Sequence, residues 1–283
     1  MTAQLIDGAS LARDKISQLK QIVKSFSSHG ASPGLATVQV GDDPASRIYI
    51  RNKAKACAEA GVSSIHHDLP ADSSEGDVLQ LIERLNRDTK VHGLIVQLPL
   101  PKHLDAKRIS QAIAVEKDVD GFNWRNLGAL VEGAPGIVPC TPCAVMTMLD
   151  TIKIPVAGRH AVVVGRSNIV GKPVALLLIA RGATVTVCNS RTADLGAVTR
   201  QADILVVATG KAGLITRTMV KPGAVVIDVG INRLPTGKIV GDVAFDEVKE
   251  VAGWITPVPG GVGPMTVAML VENTVNAAMR AQP

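Results

Sequence analysis

The chain predicts a two-domain α/β protein: an N-terminal α/β domain followed by a doubly wound parallel one. Three observations carry this. Strand-like and helix-like segments alternate from end to end, as in β-α-β units. Hydrophobic residues make up 46% of the chain but aromatics only 2%, so the interior is built from Val, Ile, Leu and Ala. Such usage suits parallel sheets covered by helices on both faces. The length of 283 residues gives room for roughly two full cores.

In the first half, residues 35–40 read as a strand and 46–60 as an amphipathic helix closed by Gly61. Residues 64–69 then form a strand, 74–88 a helix and 93–98 an apolar strand, joined by right-handed crossovers. The last of these stops at Pro99 and Pro101. Its Gln97 lies near the carboxyl end, where open α/β sheets bind ligands. A buried glutamine needs partners, and a neighbouring loop would serve as well as a ligand. Residues 116–142 change character, becoming rich in Gly, Asp, Asn and Pro. Asp118 and Asp120 before Gly121 mark a turn, or offer acceptors to the N–H groups of a heterocycle. The further oxygen ligands of a calcium loop are missing.

The second half starts over. His160-Ala-Val-Val-Val-Gly165 is a buried strand running into Arg166-Ser167-Asn-Ile-Val-Gly171-Lys-Pro173, then a helix through Arg181 closed by Gly182. A strand, a glycine turn and a helix in that order present backbone N–H groups to a phosphate, which marks a Rossmann-type domain. The spacing is GxxxxxG rather than GxGxxG. The next strand, 184–188, ends at Asn189-Ser190-Arg191-Thr192, where the dinucleotide fingerprint expects its ribose-reading group. NAD sites place an acid there. A hydroxyl and a guanidinium favour the 2′-phosphate of NADP, with Asp194, slightly later, as the competing acid. Residues 203–210 and 224–233 supply two more strands. Residues 256–266 form a proline-stiffened, glycine-dense loop before a last helix; Pro259, Gly260 and Gly261 stand at its middle, open to a flat ligand. The expected boundaries are 1–139 for the first domain, 140–264 for the second, and 265–283 for a C-terminal helix packing back toward the first.

One side chain of the helix 46–60 stands apart. Arg47, Arg51, Lys55 and Glu59 form its solvent stripe. At about 100° per residue, Lys53 falls opposite, on the face of Tyr49, Ala56, Cys57 and Ala60. Burial disfavours the charged form of an ammonium, so such a lysine is expected to trade protons near neutrality. The phenol of Tyr49 lies one turn earlier on the same face. The alternative is a lysine that snorkels along its own stem to solvent.

Other chemistries find less support. Cys57, Cys140, Cys143 and Cys188 are too few and scattered for a disulfide scaffold. The single Cys140-x-x-Cys143 lacks a second pair at metal spacing. It reads as a helix start, with Thr141 capping and Pro142 in the first turn, in preference to a redox pair. His66 and His67 are adjacent and point to opposite faces of a strand, so no metal is expected. A net charge of +5 suits an anionic ligand. Dispersed basic residues and scarce aromatics argue against nucleic acid. No apolar run reaches membrane-spanning length, and the N-terminus lacks a basic region followed by an apolar stretch. A cytoplasmic protein without a membrane partner is expected.

Together these motifs resemble the bifunctional methylenetetrahydrofolate dehydrogenase/methenyltetrahydrofolate cyclohydrolase family. The carrying residues are Val40-Gly-Asp-Asp-Pro-Ala-Ser46, Tyr49-Ile-Arg-Asn-Lys53, Val96-Gln-Leu-Pro-Leu-Pro101 and Lys117-Asp-Val-Asp-Gly121. The second half adds the glycine turn 165–173, Asp228-Val-Gly-Ile-Asn232 and the loop 257–266, so the likeness spans nearly the whole chain. The resemblance implies that Lys53 is the catalytic lysine, tuned by Tyr49 and Gln97. Asp120 would hold the pterin, with Tyr49, Pro259, Gly260 and Gly261 completing the folate site. Gly165, Arg166, Ser167, Ser190, Arg191 and Ile231 would hold NADP. It implies a folate, possibly polyglutamylated, bound in a cleft between domains of a homodimer. Hydride would pass from 5,10-methylenetetrahydrofolate to NADP, and water would then open the methenyl product to 10-formyltetrahydrofolate. Asn189, Cys143-Ala144 and Ala244 depart from the family pattern. A monofunctional enzyme of the same fold and a silent NADP-binding regulator are the rival readings; Tyr49, Lys53, Gln97 and Asp120 argue against the second.

Overall fold

The computed structural model describes residues 2–27 and 32–282, apart from the side chains of Ser27, Pro44 and Ala45. Two compact units emerge: Met1–Ala12 with Thr141–Thr266, and Arg13–Cys140 with Val267–Pro283.

The chain opens with β1 (Gln4–Leu5) and α1 (Gly8–Ser27). It continues with β2 (Gly34–Val40), α2 (Pro44–Ala60), β3 (Ser63–Leu69), α3 (Glu75–Arg87) and β4 (Gly93–Val96). The three longer strands form a parallel sheet of order β3-β2-β4, and its middle strand, β2, is buried at every position. Val38 faces His67 on one side and Val96 on the other. Ala36, Val38, Ile82, Leu85 and Leu94 share one core, where each fully buried aliphatic side chain contributes roughly 1.5–3 kcal/mol. Local signals set the helix ends. Asp43 accepts from the Ser46 N–H at 2.8 Å to start α2, and Gly61 at φ 80° stops it. Ser74 and Asp77 cap α3 reciprocally. The expected strand 93–98 is shorter, because Pro99, which has no N–H, ends the ladder beyond Gln97.

Two short helices follow, α4 (Ala106–Gln111) and α5 (Trp124–Val131). The second lies inside the stretch read as turn-rich, started by Asn123, whose side chain accepts from the Arg125 N–H at 3.0 Å. Next comes α6 (Cys140–Thr151). Thr141 does not cap it; it lies within the first turn, its hydroxyl 3.2 Å from that of Thr266.

The remaining elements are β5 (His160–Val164), α7 (Gly171–Ala180), β6 (Thr184–Cys188), α8 (Leu195–Thr199) and β7 (Ile204–Val207). After them come β8 (Val225–Asp228), β9 (Asn232–Arg233), β10 (Ile239–Val240), α9 (Phe245–Val248), β11 (Trp254–Ile255) and α10 (Val262–Arg280). Six strands pair in parallel in the order β1-β11-β8-β7-β5-β6. Val162, Val164, Leu205, Val207, Val226 and Ile255 form its core. The expected strand 224–233 breaks after Asp228, and its end becomes an antiparallel pair with β10. The loop expected to run to 266 is shorter, since α10 starts at Val262 with Pro264 in its first turn, where a missing N–H costs nothing.

The boundaries expected at 139/140 and 264/265 take no account of the first twelve residues. These group with 141–266 because Gln4 and Leu5 pair with Trp254 and Ile255. The same contact places Gly8 against the loop after β11: the Ala9 N–H donates to Gly260 O at 2.9 Å, and a Cβ on Gly8 would overlap the carbonyl of Gly261. Gly8→Ala is therefore expected to lower the unfolding free energy by about 1–3 kcal/mol, the cost of overpacking. Denaturant unfolding reads this, and an unmoved midpoint would show that the loop simply gives way.

Candidate functional site

Lys53 is partly buried on α2, while Arg47, Arg51, Lys55 and Glu59 are exposed. Its Nζ donates to Gln97 Oε1 at 3.1 Å. Gln97 is itself held: its N–H donates to Val38 O and its Nε2 to Leu98 O, each at 2.8 Å. Its remaining acceptor thus faces the lysine. Cys57, one turn along α2 and fully buried, has its thiol pushed up to about 12 by burial, against the opposing charge of Lys53. The carboxyl of Asp120 is likewise pushed up by burial, with the Lys53 charge pulling it down. Tyr49 is 40% exposed, leaving its ring open to a ligand. Lys53 thus hydrogen-bonds Gln97 and lies near enough to Asp120 to act on its carboxyl.

The paired aspartates divide their work. Asp118 is buried and accepts from the Asn123 N–H at 2.7 Å and from Asn126 Nδ2 at 3.0 Å. Asn273 Nδ2 ties the same turn through Val119 O at 2.9 Å and Val138 O at 3.0 Å. Asp118 builds the turn; Asp120 is the one under the lysine's field. Asn126 and Asn273 were missed from sequence, although the repeated Asn after Asp118-Val-Asp was a signal for the first.

Burial outweighs those hydrogen bonds and pushes the Asp118 carboxyl up to about 6, from a usual value near 3.8. Between these values the folded state keeps a proton that the unfolded chain releases. The stability this group contributes is therefore full below about pH 4 and lost as pH rises through 6. Asp118→Asn, which cannot ionise, is expected to lose less stability than the wild type between pH 4 and 7, by on the order of 2 kcal/mol. Asp228 is also raised to about 6, so the comparison is between variant and wild type, by denaturant midpoints. Parallel pH curves would refute it.

The other unit carries the glycine turn. Gly165 has φ 128°, which side chains rarely adopt, and a Cβ there would overlap Ala208 O. A Cβ on Gly171 would overlap Gly165 O, so the two glycines pack the turn on itself. Ser167 Oγ accepts from the N–H groups of Val170 (3.1 Å) and Gly171 (3.3 Å) at the start of α7. Arg166 is exposed beside it. At the end of β6 the Asn189 side chain accepts from the Arg191 N–H at 3.0 Å, fixing a turn from which Ser190 and Arg191 are exposed. Asp194 is committed elsewhere: it caps α8, accepting from the Ala197 N–H at 2.8 Å. Ile231 is 48% exposed after β8. Gly260, at φ 103°, follows Pro259, and a Cβ on Gly261 would overlap Pro257 O. The glycine cradle and the free hydroxyl and guanidinium fit a dinucleotide with a 2′-phosphate. Among the described residues no group of three or more His, Cys, Asp or Glu is placed to hold a metal ion, and no helix is long and apolar enough to cross a membrane.

A six-stranded parallel sheet with such a cradle, in a chain that also holds a lysine-centred polar cluster, defines a nicotinamide-dinucleotide dehydrogenase with a second chemical centre. Residues 6–120 match the catalytic domain of tetrahydrofolate dehydrogenase/cyclohydrolase, and 139–282 match the NAD(P)-binding domain. The bifunctional protein FolD of Ralstonia pickettii is 58% identical over 281 residues, 99% of this chain and 97% of its own. The crystal structure of the Campylobacter jejuni bifunctional enzyme has 48% identity and a TM-score of 0.97, covering 99% of this chain and 100% of that one. A Trypanosoma brucei dehydrogenase-cyclohydrolase, complexed with NADP and an inhibitor, has 40% identity and a TM-score of 0.95, covering 99% and 98%. The chain belongs to the tetrahydrofolate dehydrogenase/cyclohydrolase family. It is an NADP-dependent bifunctional one-carbon enzyme, acting as methylenetetrahydrofolate dehydrogenase and methenyltetrahydrofolate cyclohydrolase.

Proposed function

We propose that Lys53 is the proton-handling group of this enzyme and serves both reactions on one bound folate. The observation that carries this is the contact from Lys53 Nζ to Gln97 Oε1 at 3.1 Å, in a cluster where Asp120 feels the lysine's charge. NADP, when bound, supplies the acceptor for the hydride leaving the methylene bridge of 5,10-methylenetetrahydrofolate. Gly165, Arg166, Ser167, Ser190, Arg191 and Ile231 hold that cofactor. Water then adds to the methenyl carbon. Lys53 takes one proton from the adding water and returns it to the ring nitrogen as the C–N bond breaks, while the remaining hydroxyl proton leaves to solvent as the carbonyl of 10-formyltetrahydrofolate forms. Gln97 orients the amine. Asp120 accepts from the pterin N–H groups, the exposed Tyr49 ring covers the flat substrate, and Pro259, Gly260 and Gly261 let backbone approach it. Running both steps at one base exploits positioning, since the reacting carbon is already beside it.

The substrates in this reading include polyglutamylated folates, in keeping with the chain's net positive charge of +5. The enzyme is read as a cytoplasmic homodimer. The buried free thiols of Cys57 and Cys188 suit a reducing compartment. The unpaired edge strand β6, with Val187 42% exposed and Ile179 of α7 55% exposed, offers the kind of surface a second copy covers. One assay with methylenetetrahydrofolate and NADP, following NADPH and 10-formyl product separately, tests the function. Both should appear, and NADPH without 10-formyl product would leave only a dehydrogenase.

A further inference from the structure

Two buried carboxylates at the carboxyl ends of the six-stranded sheet take no part in the contacts described so far. Asp228 ends β8 and is 3% exposed; Asp242, two residues after β10, is fully buried. Buried charges are costly unless hydrogen bonds satisfy them, and both are well supplied. Asp228 accepts from the N–H groups of Gly230 (2.9 Å), Asp242 (3.0 Å) and Val243 (2.9 Å). One oxygen of Asp242 accepts from the Thr209 N–H (2.6 Å), the Thr209 hydroxyl (3.0 Å) and the Gly210 N–H (3.0 Å). Its other oxygen accepts from Asn232 Nδ2 at 2.8 Å. Side chains at Gly230 and Gly241 would overlap these carboxylates, so the glycines make the room.

The turn after β7, the turn after β8 and the segment 241–243 therefore hang on two carboxyl groups. β7 and β8 are neighbours, and ligands of open α/β sheets bind beyond such strand ends. Ile231 lies between Gly230, tied to Asp228, and Asn232, tied to Asp242. Its own side chain points out, 48% exposed. We infer that Asp242, with Asp228 behind it, is a positioning residue for the nicotinamide cofactor, fixing the Thr209-Gly210 and Ile231 turns so that they meet NADP. This rests on the assignment of Ile231 to the NADP site. A purely architectural role would lower stability and both activities together, whereas positioning the cofactor burdens only the step that uses it.

Asp242→Asn keeps the shape but removes the charge and turns an amide toward the Asn232 amide. The expected result is a rise of about tenfold in KM for NADP, equivalent to about 1.4 kcal/mol. At saturating NADP, kcat should stay within about threefold, and hydrolysis of methenyltetrahydrofolate without NADP within about twofold, in line with an effect on binding alone. A KM rise below about threefold, or a cyclohydrolase loss as large as the KM rise, overturns the proposal. If D242N does not fold, Asn232→Ser is read in its place. Losing one neutral donor should raise KM about two- to tenfold, and an unchanged KM overturns the proposal. Ile231→Ala is measured alongside. A wild-type KM in I231A removes the parent assignment, whereas a raised KM there with an unchanged one in D242N overturns only the positioning role.

Discussion

Replacing Lys53 by Met is expected to lower cyclohydrolase activity at least about 100-fold, the low end for losing a general acid–base group. Methionine keeps most of the stem volume and removes the amine. The stem is partly buried beside Cys57 and Ala56, so an apolar chain fits the same face of α2. The variant gives up one hydrogen bond, to Gln97, and that glutamine remains held by Val38 and Leu98 through its own N–H groups. Folding should therefore change little, and a thermal melt separates that outcome from a loss of chemistry. Hydrolysis of methenyltetrahydrofolate at nearly the wild-type rate would make Lys53 structural and the mechanism wrong.

The second large effect concerns the cofactor. Arg191 stands at the end of β6 on a turn pinned by Asn189, with Ser190 beside it. A guanidinium there can meet a phosphate in bidentate fashion. One charge-assisted hydrogen bond contributes roughly 1.5–3 kcal/mol, about one to two decades of affinity. NADP is therefore expected to exceed NAD by at least about tenfold in kcat/KM. Asp194, the acid that could have gripped the ribose hydroxyls, is spent on the N–H of Ala197 at the start of α8. Ser190→Asp should erode or reverse the preference, since a carboxylate repels the 2′-phosphate. Measuring kcat/KM with each cofactor on the unmodified enzyme decides the matter, and parity would sink the assignment.

The α/β class was legible because long periodic segments speak for themselves. Residues 184–188 read as a strand and are one, and α2 begins and ends on signals its own residues carry, Asp43 and Gly61. The displacement of Lys53 from the solvent stripe was likewise legible, because helical spacing alone separates the two faces. What escaped the sequence lacks periodicity. β1 has only two residues, so its pairing with β11 is set by a partner 250 positions away. Helix α5 depends on Asn123 as its cap inside a segment otherwise full of turn formers. The division between Asp118 and Asp120 is also invisible locally, since each stands in the same Asp-rich turn. Only the Asn123 N–H and the Asn126 amide, both donating to Asp118, show which carboxylate is structural.

That long-range pairing has a consequence for birth on the ribosome. The three-stranded sheet is made from residues 34–96 alone and can close while most of the chain is still unmade. The six-stranded sheet cannot, because β11 lies between β1 and β8. β1 must wait, its edge unsatisfied, for β11 some 250 positions later, and closing so long a span is slow. The unit that holds this early sheet is not finished early either, for the turn that carries Asp120 is pinned by Asn273. A nascent chain halted before that asparagine would hold Lys53 and Gln97 already in hand, yet neither of its two units would be complete. For this enzyme, both units wait on the segment from β11 through α10 before they are whole.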